Sequence, residues 1–221
     1  MTKKVLIAED HQHANLSVQK TLEELGFTEP DYVYYCDDAL LKIRKGVQDG
    51  RPYDLLITDL SFESDGTRQK LEDGVALIAA ARKEQAALKI LVFSAEHRAA
   101  IIENLFDKLA IDGYVRKARH DARELETAIG LIGQGQRYYP RHLMQLIQKK
   151  NAHDFTQYDI VVLSLIAGGE RQDKIPPYLR QHKIEPYGKS SLEKRLKLIR
   201  EKLEFTNNAQ LIAYCKDMGI I

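Results

Sequence analysis

The chain has 221 residues, of which 44% are hydrophobic and 29% are charged, and its formal net charge is +1. This composition excludes a disordered or fibrous chain, and the length favours two domains over one small module. Its apolar runs are shorter than the roughly 18 residues of a membrane-spanning helix, and the run Val5 to Ala8 is too brief for a secretion signal. We therefore expect a globular, cytoplasmic protein that has no membrane segment.

The two cysteines, Cys36 and Cys215, lie far apart in the sequence. Their positions form neither a C-x-x-C pair nor the spacing of zinc ligands. We expect buried thiols rather than a disulfide framework or a zinc site.

The first 120 residues alternate short apolar runs with longer amphipathic segments, which is typical of parallel strands linked by crossover helices. The predicted strands are Val5–Ala8, Tyr32–Cys36, Leu55–Thr58, Ile90–Phe93 and Gly113–Val115. The predicted helices span residues 14–25, 38–47, 74–86, 98–110 and 121–134. In the first helix, Leu16, Leu22 and Leu25 are expected to face the sheet. The pattern predicts an α/β domain.

The pattern changes after Gly135, where Arg137 to Pro140 interrupt the helical period and a polar, basic stretch follows. We predict a domain at 1–135, a linker at 136–154 and a second domain at 155–221. The apolar spacing in the second domain predicts helices at 157–167, 171–182, 189–203 and 208–217. Thr156 and Asn207 or Asn208 suit N-caps, and Pro176-Pro177 predict that the second of these helices starts at the prolines.

Polar side chains follow four of the five predicted strands. They are Glu9 and Asp10, Asp59, Ser94, and Lys117. Ligands of an open parallel sheet bind beyond the carboxyl ends of its strands, so these groups should converge. Three converging carboxylates need cations, and Mg²⁺ together with Lys117 satisfies them. Such a set suits transfer of a phosphoryl group to Asp59, with Lys117 and the Ser94 hydroxyl receiving the phosphate oxygens.

Four segments at these strand ends carry a family resemblance: Val5–His11, Asp54–Leu60, Ile90–Ala95 and Gly113–Lys117. Over residues 3–135 the chain resembles the receiver domains of two-component response regulators. The likeness implies a flavodoxin-like sheet of order 2-1-3-4-5, with Asp59 as phospho-acceptor and a histidine kinase as phosphodonor. It also implies that Mg²⁺ is held by Glu9, Asp10, Asp59 and the backbone carbonyl of Ser61. Tyr114 matches the aromatic switch, which turns inward when the Ser94 hydroxyl moves to the phosphate.

Two features depart from the usual receiver pattern. Residues 61–73 form a long polar loop, so that Gly74 lies fifteen positions after Asp59 rather than within about eight. We expect this loop to affect Mg²⁺ access or the lifetime of the phosphoryl group. Lys117 is followed by Ala118 where many receivers have proline.

The C-terminal segments Phe155–Gly169, Ser191–Arg195, Ile199–Leu203 and Asn208–Tyr214 resemble the LuxR/NarL-type helix-turn-helix domain. That likeness implies binding to double-stranded DNA, and we expect a homodimer when the protein is phosphorylated. Residues 180–188 lengthen the turn before the recognition helix by some five residues relative to the family. DNA binding through an altered geometry and a protein-binding output domain therefore both remain open.

The predicted recognition helix is basic, with six basic and two acidic residues between Lys189 and Lys202. A stripe of Leu192, Leu196, Ile199 and Leu203 is expected to face the core. The candidate DNA-binding residues are Lys189, Ser190, Ser191, Glu193, Lys194 and Lys197. Glu193 either accepts from a cytosine amine or pairs with Lys197 one turn away, and we favour the pair.

The sequence as a whole predicts a transcription regulator that phosphorylation activates. We expect no enzymatic activity beyond its own phosphorylation and dephosphorylation. An aspartyl-phosphate phosphatase would need a second acid two residues after the nucleophile, and Ser61 holds that position.

Overall fold

The computed structural model describes residues 4–27, 29–118, 121–140, 143 and 153–221. The chain divides into two compact units, with the boundary after Pro140. Within the described residues, no helix is both long enough and apolar enough to cross a membrane.

The first unit is a parallel five-stranded sheet with the order β2-β1-β3-β4-β5, as predicted. Its strands are β1 (Val5–Ala8), β2 (Asp31–Val33), β3 (Leu55–Thr58), β4 (Lys89–Ser94) and β5 (Gly113–Arg116). Its helices are α1 (Gln12–Glu24), α2 (Cys36–Gln48), α3 (Gly74–Glu84), α4 (Ala99–Lys108) and α5 (Asp121–Gly133). Strands β1 and β3 are buried along their whole length, as parallel strands covered on both faces are.

Two predictions for the first unit were wrong in detail. Strand β2 stops at Val33, where its pairing with Ala8 ends, and Cys36 begins α2 instead of closing the strand. The acidic residues Asp37 and Asp38 in the first turn of α2 favour a helix N-terminus there. Leu16 is 61% exposed, because it lies about 200° around α1 from the buried Val18.

The segment after α5 continues the first unit. Tyr138 lies beside β5, where its amide donates to the carbonyl of Asp112 and its carbonyl accepts from the amide of Tyr114. Tyr139 stacks on Phe106, with ring centroids 4.2 Å apart. Residues 136–140, predicted as the start of the linker, thus pack against the sheet, while residues 141–142 and 144–152 lie outside the described part of the chain.

The second unit contains α6 (Gln157–Ala167), α7 (Ile175–Gln181), α8 (Lys189–Lys202) and α9 (Asn208–Asp217). Thr156 and Asn207 cap α6 and α9 as predicted, each accepting from the amide three residues on. Helix α7 begins at Ile175 and has both prolines in its first turn, because a proline ring fits the first turn of a helix but not its interior. The predicted stripe of α8 and Leu203 is buried, and so are both free cysteines.

Candidate functional site

The carboxylates predicted to converge do so at the ends of β1 and β3. Ala8 pairs with Thr58, so Glu9 and Asp59 leave neighbouring strands at the same level. Ligand atoms of Glu9, Asp10, His11 and Asp59 all lie within 4.8 Å of one another. Glu9 and Asp59 are buried, and burial raises the pKa of Glu9 against the opposing effect of the ammonium of Lys117.

Lys117 brings a positive charge to these carboxylates from the end of β5. Its ammonium lies 2.5 Å from Oδ2 of Asp59 and 2.7 Å from Oε2 of Glu9. Burial alone would lower the pKa of Lys117, but the two carboxylates outweigh burial and raise it. Lys117 is therefore a fixed cation that bridges the two acids.

The backbone after β3 holds the second oxygen of Asp59. The amides of Leu60 and Ser61 donate to Oδ1 at 2.6 and 3.3 Å. Gly74, the first residue of α3, packs so closely here that a Cβ on it would lie 1.9 Å from the carbonyl oxygen of Asp59. The glycine that closes the long loop is thus required by close approach to the acceptor, a role that its sequence position did not reveal.

The long loop 61–73 is connected to the site through Asp10. The amide of Glu63 donates to Oδ2 of Asp10 at 2.6 Å, and Nδ1 of His11 lies 2.7 Å from Oδ1. The hydrogen bond with Asp10 raises the pKa of His11. Sequence reasoning missed both His11 and Glu63.

The same loop is also attached to the start of α2. The carboxylate of Asp37 accepts from the amides of Lys70 and Leu71, at 2.8 and 3.1 Å. The hydroxyl of Tyr35 donates to Asp65 at 2.6 Å. The loop is therefore held by side chains that precede it in sequence, and its length alone did not predict this.

Ser94 and Tyr114 lie on adjacent strands, and both are buried. Ser94 is the last residue of β4, and the amide of Glu96 donates to its hydroxyl at 3.5 Å. The hydroxyl of Tyr114 donates to the carbonyl of Glu96 at 2.7 Å, and burial raises the pKa of the phenol. The ring thus lies inward, and the loop after β4 joins the two hydroxyl groups.

In the second unit, α8 presents its polar residues to solvent. Lys189, Ser190, Glu193, Lys194 and Lys197 are exposed, and Ser191 is half-buried. The favoured pair of Glu193 with Lys197 was wrong: the ammonium of Lys197 lies 3.6 Å from Glu201, one turn further on. Glu193 and Glu201 each lie four residues from Lys197, so the i,i+4 spacing alone could not choose between the two acids.

Comparison with known proteins gives neighbours in structure but not in sequence. Neither a protein-family profile nor a curated protein matches the chain. A structure of two RcsB dimers bound to two parallel DNAs is 24% identical, with a TM-score of 0.64, over 98% of this chain and 99% of that one. The chain has the fold of a response regulator.

Two further structures agree with this response-regulator fold. RcsB from Salmonella enterica serovar Typhimurium, bound to promoter P1flhDC in the presence of phosphomimetic BeF3⁻, is 24% identical over 98% of this chain and 99% of that one, with a TM-score of 0.56. The non-phosphorylated receiver domain of RcsB from Escherichia coli is 26% identical over 64% of this chain and 100% of that one, with a TM-score of 0.52. The predicted fold, an α/β receiver domain followed by an all-α helix-turn-helix domain, is confirmed.

Proposed function

We propose that this protein is a DNA-binding transcriptional regulator that is activated when a sensor histidine kinase phosphorylates Asp59. The observation that carries the proposal is Lys117 bridging Asp59 and Glu9 at the ends of adjacent strands. A lysine ammonium fixed between buried carboxylates is arranged to receive the charge of a phosphoryl group.

The residues of the site have separate tasks in phosphoryl transfer. An oxygen of Asp59 forms the new P–O bond while the P–N bond of a phosphohistidine breaks and the imidazole leaves. The ammonium of Lys117 stays close to Asp59 and pairs with an oxygen of the transferred group. The amides of Leu60 and Ser61 orient the acceptor carboxylate through Oδ1.

The acidic cluster fits Mg²⁺, which prefers oxygen ligands. Glu9, Asp10, Asp59 and the backbone carbonyl of Ser61 would hold the ion, and it would neutralise oxygens of the phosphoryl group. The donor set favours this assignment, since carboxylate oxygens of Glu9, Asp10 and Asp59 lie within 4.8 Å of one another.

Phosphorylation is transmitted through Ser94 and Tyr114. The hydroxyl of Ser94 moves to an oxygen of the phosphoryl group, which changes its contact with the amide of Glu96. The Tyr114 hydroxyl donates a hydrogen bond to the carbonyl of Glu96, so the loop after β4 and the ring respond together. A phosphoryl group adds roughly −1.5 to −2 charges, enough to bias such a coupled pair.

The output is reading of DNA by α8, with Lys189, Ser190, Ser191, Glu193, Lys194 and Lys197 on its accessible side. The helix carries a formal charge of +4, from six basic and two acidic residues between Lys189 and Lys202. Two such helices in a phosphorylated homodimer engage two half-sites, and the second contact then forms at high effective concentration. The DNA-bound RcsB neighbours support this assignment.

A salt titration of DNA binding tests the proposal. The full chain, activated with beryllofluoride and Mg²⁺, should bind DNA fragments selected from a random pool, with affinity that falls steeply with salt. Lys194→Ala with Lys197→Ala should weaken binding, whereas the control Lys216→Ala on α9 should not. Binding that is unchanged by the double substitution would favour a protein-binding output domain instead.

A further inference from the structure

Helix α8 carries an exposed leucine on its basic side. Leu198 is 49% exposed, although the other leucines of the helix, Leu192 and Leu196, are buried. It follows Lys194 by four residues and so lies on the same side, one turn further on. Leu198 belongs neither to the buried core stripe of α8 nor to the predicted DNA-binding residues.

Leu198 belongs to a groove that the lengthened turn helps to form. Leu198 and Lys194 line this groove together with Pro186 of the turn and Tyr158 of α6. Arg195 also borders it, but its guanidinium is bound to Asp159. The groove therefore offers apolar carbon from Leu198 and Pro186 beside the ammonium of Lys194.

DNA fits this surface better than a protein does. A stable protein interface buries of the order of 800 Å² of accessible surface per partner and has a core depleted of charged residues, whereas Lys194 and Glu185 line this groove beside Leu198, Pro186 and Tyr158. The major groove of DNA instead places the isolated C5-methyl group of thymine near phosphates. The negative charge of these phosphates complements the +4 charge of α8.

We propose that Leu198 determines specificity by contacting a thymine methyl group, next to the position that Lys194 contacts. This inference rests on the proposed DNA-binding function and assigns one base preference to it. Lys194 supplies attraction and orientation, while Leu198 distinguishes thymine from a base that lacks the methyl group.

Replacement of thymine by uracil isolates the effect of the methyl group on binding, because both bases pair with adenine alike and differ only in that group. Fragments selected from a random pool by the activated full chain are resynthesised with uracil at one thymine at a time. We expect one position in each half-site at which uracil weakens binding about fourfold, as burial of one methyl group implies. Leu198→Ala should still bind DNA but should lose this discrimination, whereas Leu41→Ala, an exposed leucine on α2, should keep it.

The failures of the two proposals differ. If the chain binds DNA and uracil has no effect at any position, or Leu198→Ala discriminates as the unchanged protein does, the assignment of Leu198 is overturned and the DNA-binding function stands. If the activated chain binds no DNA fragment, both are overturned.

Discussion

Arg195 of α8 binds Asp159 of α6 through two parallel hydrogen bonds of 2.7 Å. The Asp159 side chain is fully buried, and its Oδ2 also accepts from the backbone amide of Thr156, which closes the capping box of α6. One carboxylate thus stabilises the start of α6 and fixes the position of α8. The geometry of the candidate recognition helix depends on this pair.

Replacement of Arg195 should destabilise the second unit strongly. Arg195→Met leaves a buried carboxylate without its cation, which costs about 3–5 kcal/mol. The control Arg171→Met removes an exposed pair with Asp173 and should cost at most about 1 kcal/mol. Denaturant unfolding of the full chain measures both, and equal losses would contradict the role assigned to Arg195.

Acidification should loosen the second unit in two steps. Burial lowers the pKa of His153, whose Nε2 lies 3.7 Å from Asp159. For Asp159, burial acts to raise the pKa, but the hydrogen bonds from Arg195 and Thr156 outweigh it and lower the pKa. Both groups therefore bind protons more tightly in the unfolded chain than in the folded chain. Their contribution to the free energy of unfolding is complete above about pH 6.5. It falls below that pH, first as His153 is protonated and then, below about pH 4, as Asp159 is protonated.

Hydrogen exchange of the amides of α6 measures this stability without interference from the first unit. His153→Gln should remove the loss of protection between about pH 6.5 and pH 5 while leaving the loss at lower pH. A protection factor, the ratio of intrinsic to observed exchange rate, that rises on acidification in the unchanged protein would contradict the assignment.

A methyl group at Gly74 should disturb the acceptor. In Gly74→Ala the new Cβ would meet the Asp59 carbonyl at 1.9 Å, so the backbone of Asp59 must move. We expect a loss of about 1–3 kcal/mol in stability and roughly 100-fold slower phosphorylation by acetyl phosphate. Gly130→Ala in α5 has open space around it and should leave the rate unchanged. A normal rate in Gly74→Ala would show that the close approach is not needed.

Ser94 should be needed for signalling but not for attack. Ser94→Ala should still accept a phosphoryl group at Asp59, because the Ser94 hydroxyl contacts the amide of Glu96 before the transfer and not the attacking carboxylate. It should lose most of the phosphorylation-dependent gain in DNA affinity, while Ser164→Ala on the exposed side of α6 retains it. Parallel measurements of phosphorylation and DNA affinity separate the two effects, and a full response in Ser94→Ala would place the switch elsewhere.

The sequence predicted the sheet and the converging acids because both follow from local pattern. Strands are apolar runs, and polar residues mark where each run ends. The positions of Glu9, Asp59 and Lys117 at those ends therefore follow from the amino-acid order alone. Contacts between distant segments were not predictable in this way. The bond from Glu63 to Asp10 and the anchoring of loop 61–73 by Asp37 depend on how an irregular backbone folds.

In the second unit, hydrophobic spacing identified the buried face of α8 but not its polar partners. A charged residue in an amphipathic helix is predicted to be solvated, and Arg195 is an exception because Asp159 lies buried opposite it. Spacing also offered two acids for Lys197, and the structure places Glu201 there.

The most direct test of the account is labelling by acetyl phosphate with Mg²⁺, followed by the mass of the intact chain. The unchanged protein and Asp107→Ala, a substitution of an exposed acid on α4, should each gain one phosphoryl group. Asp59→Ala should gain none, and neither should the unchanged protein in EDTA. Undiminished labelling of Asp59→Ala, or full labelling in EDTA, would contradict the assignment of Asp59 as the acceptor that controls this protein.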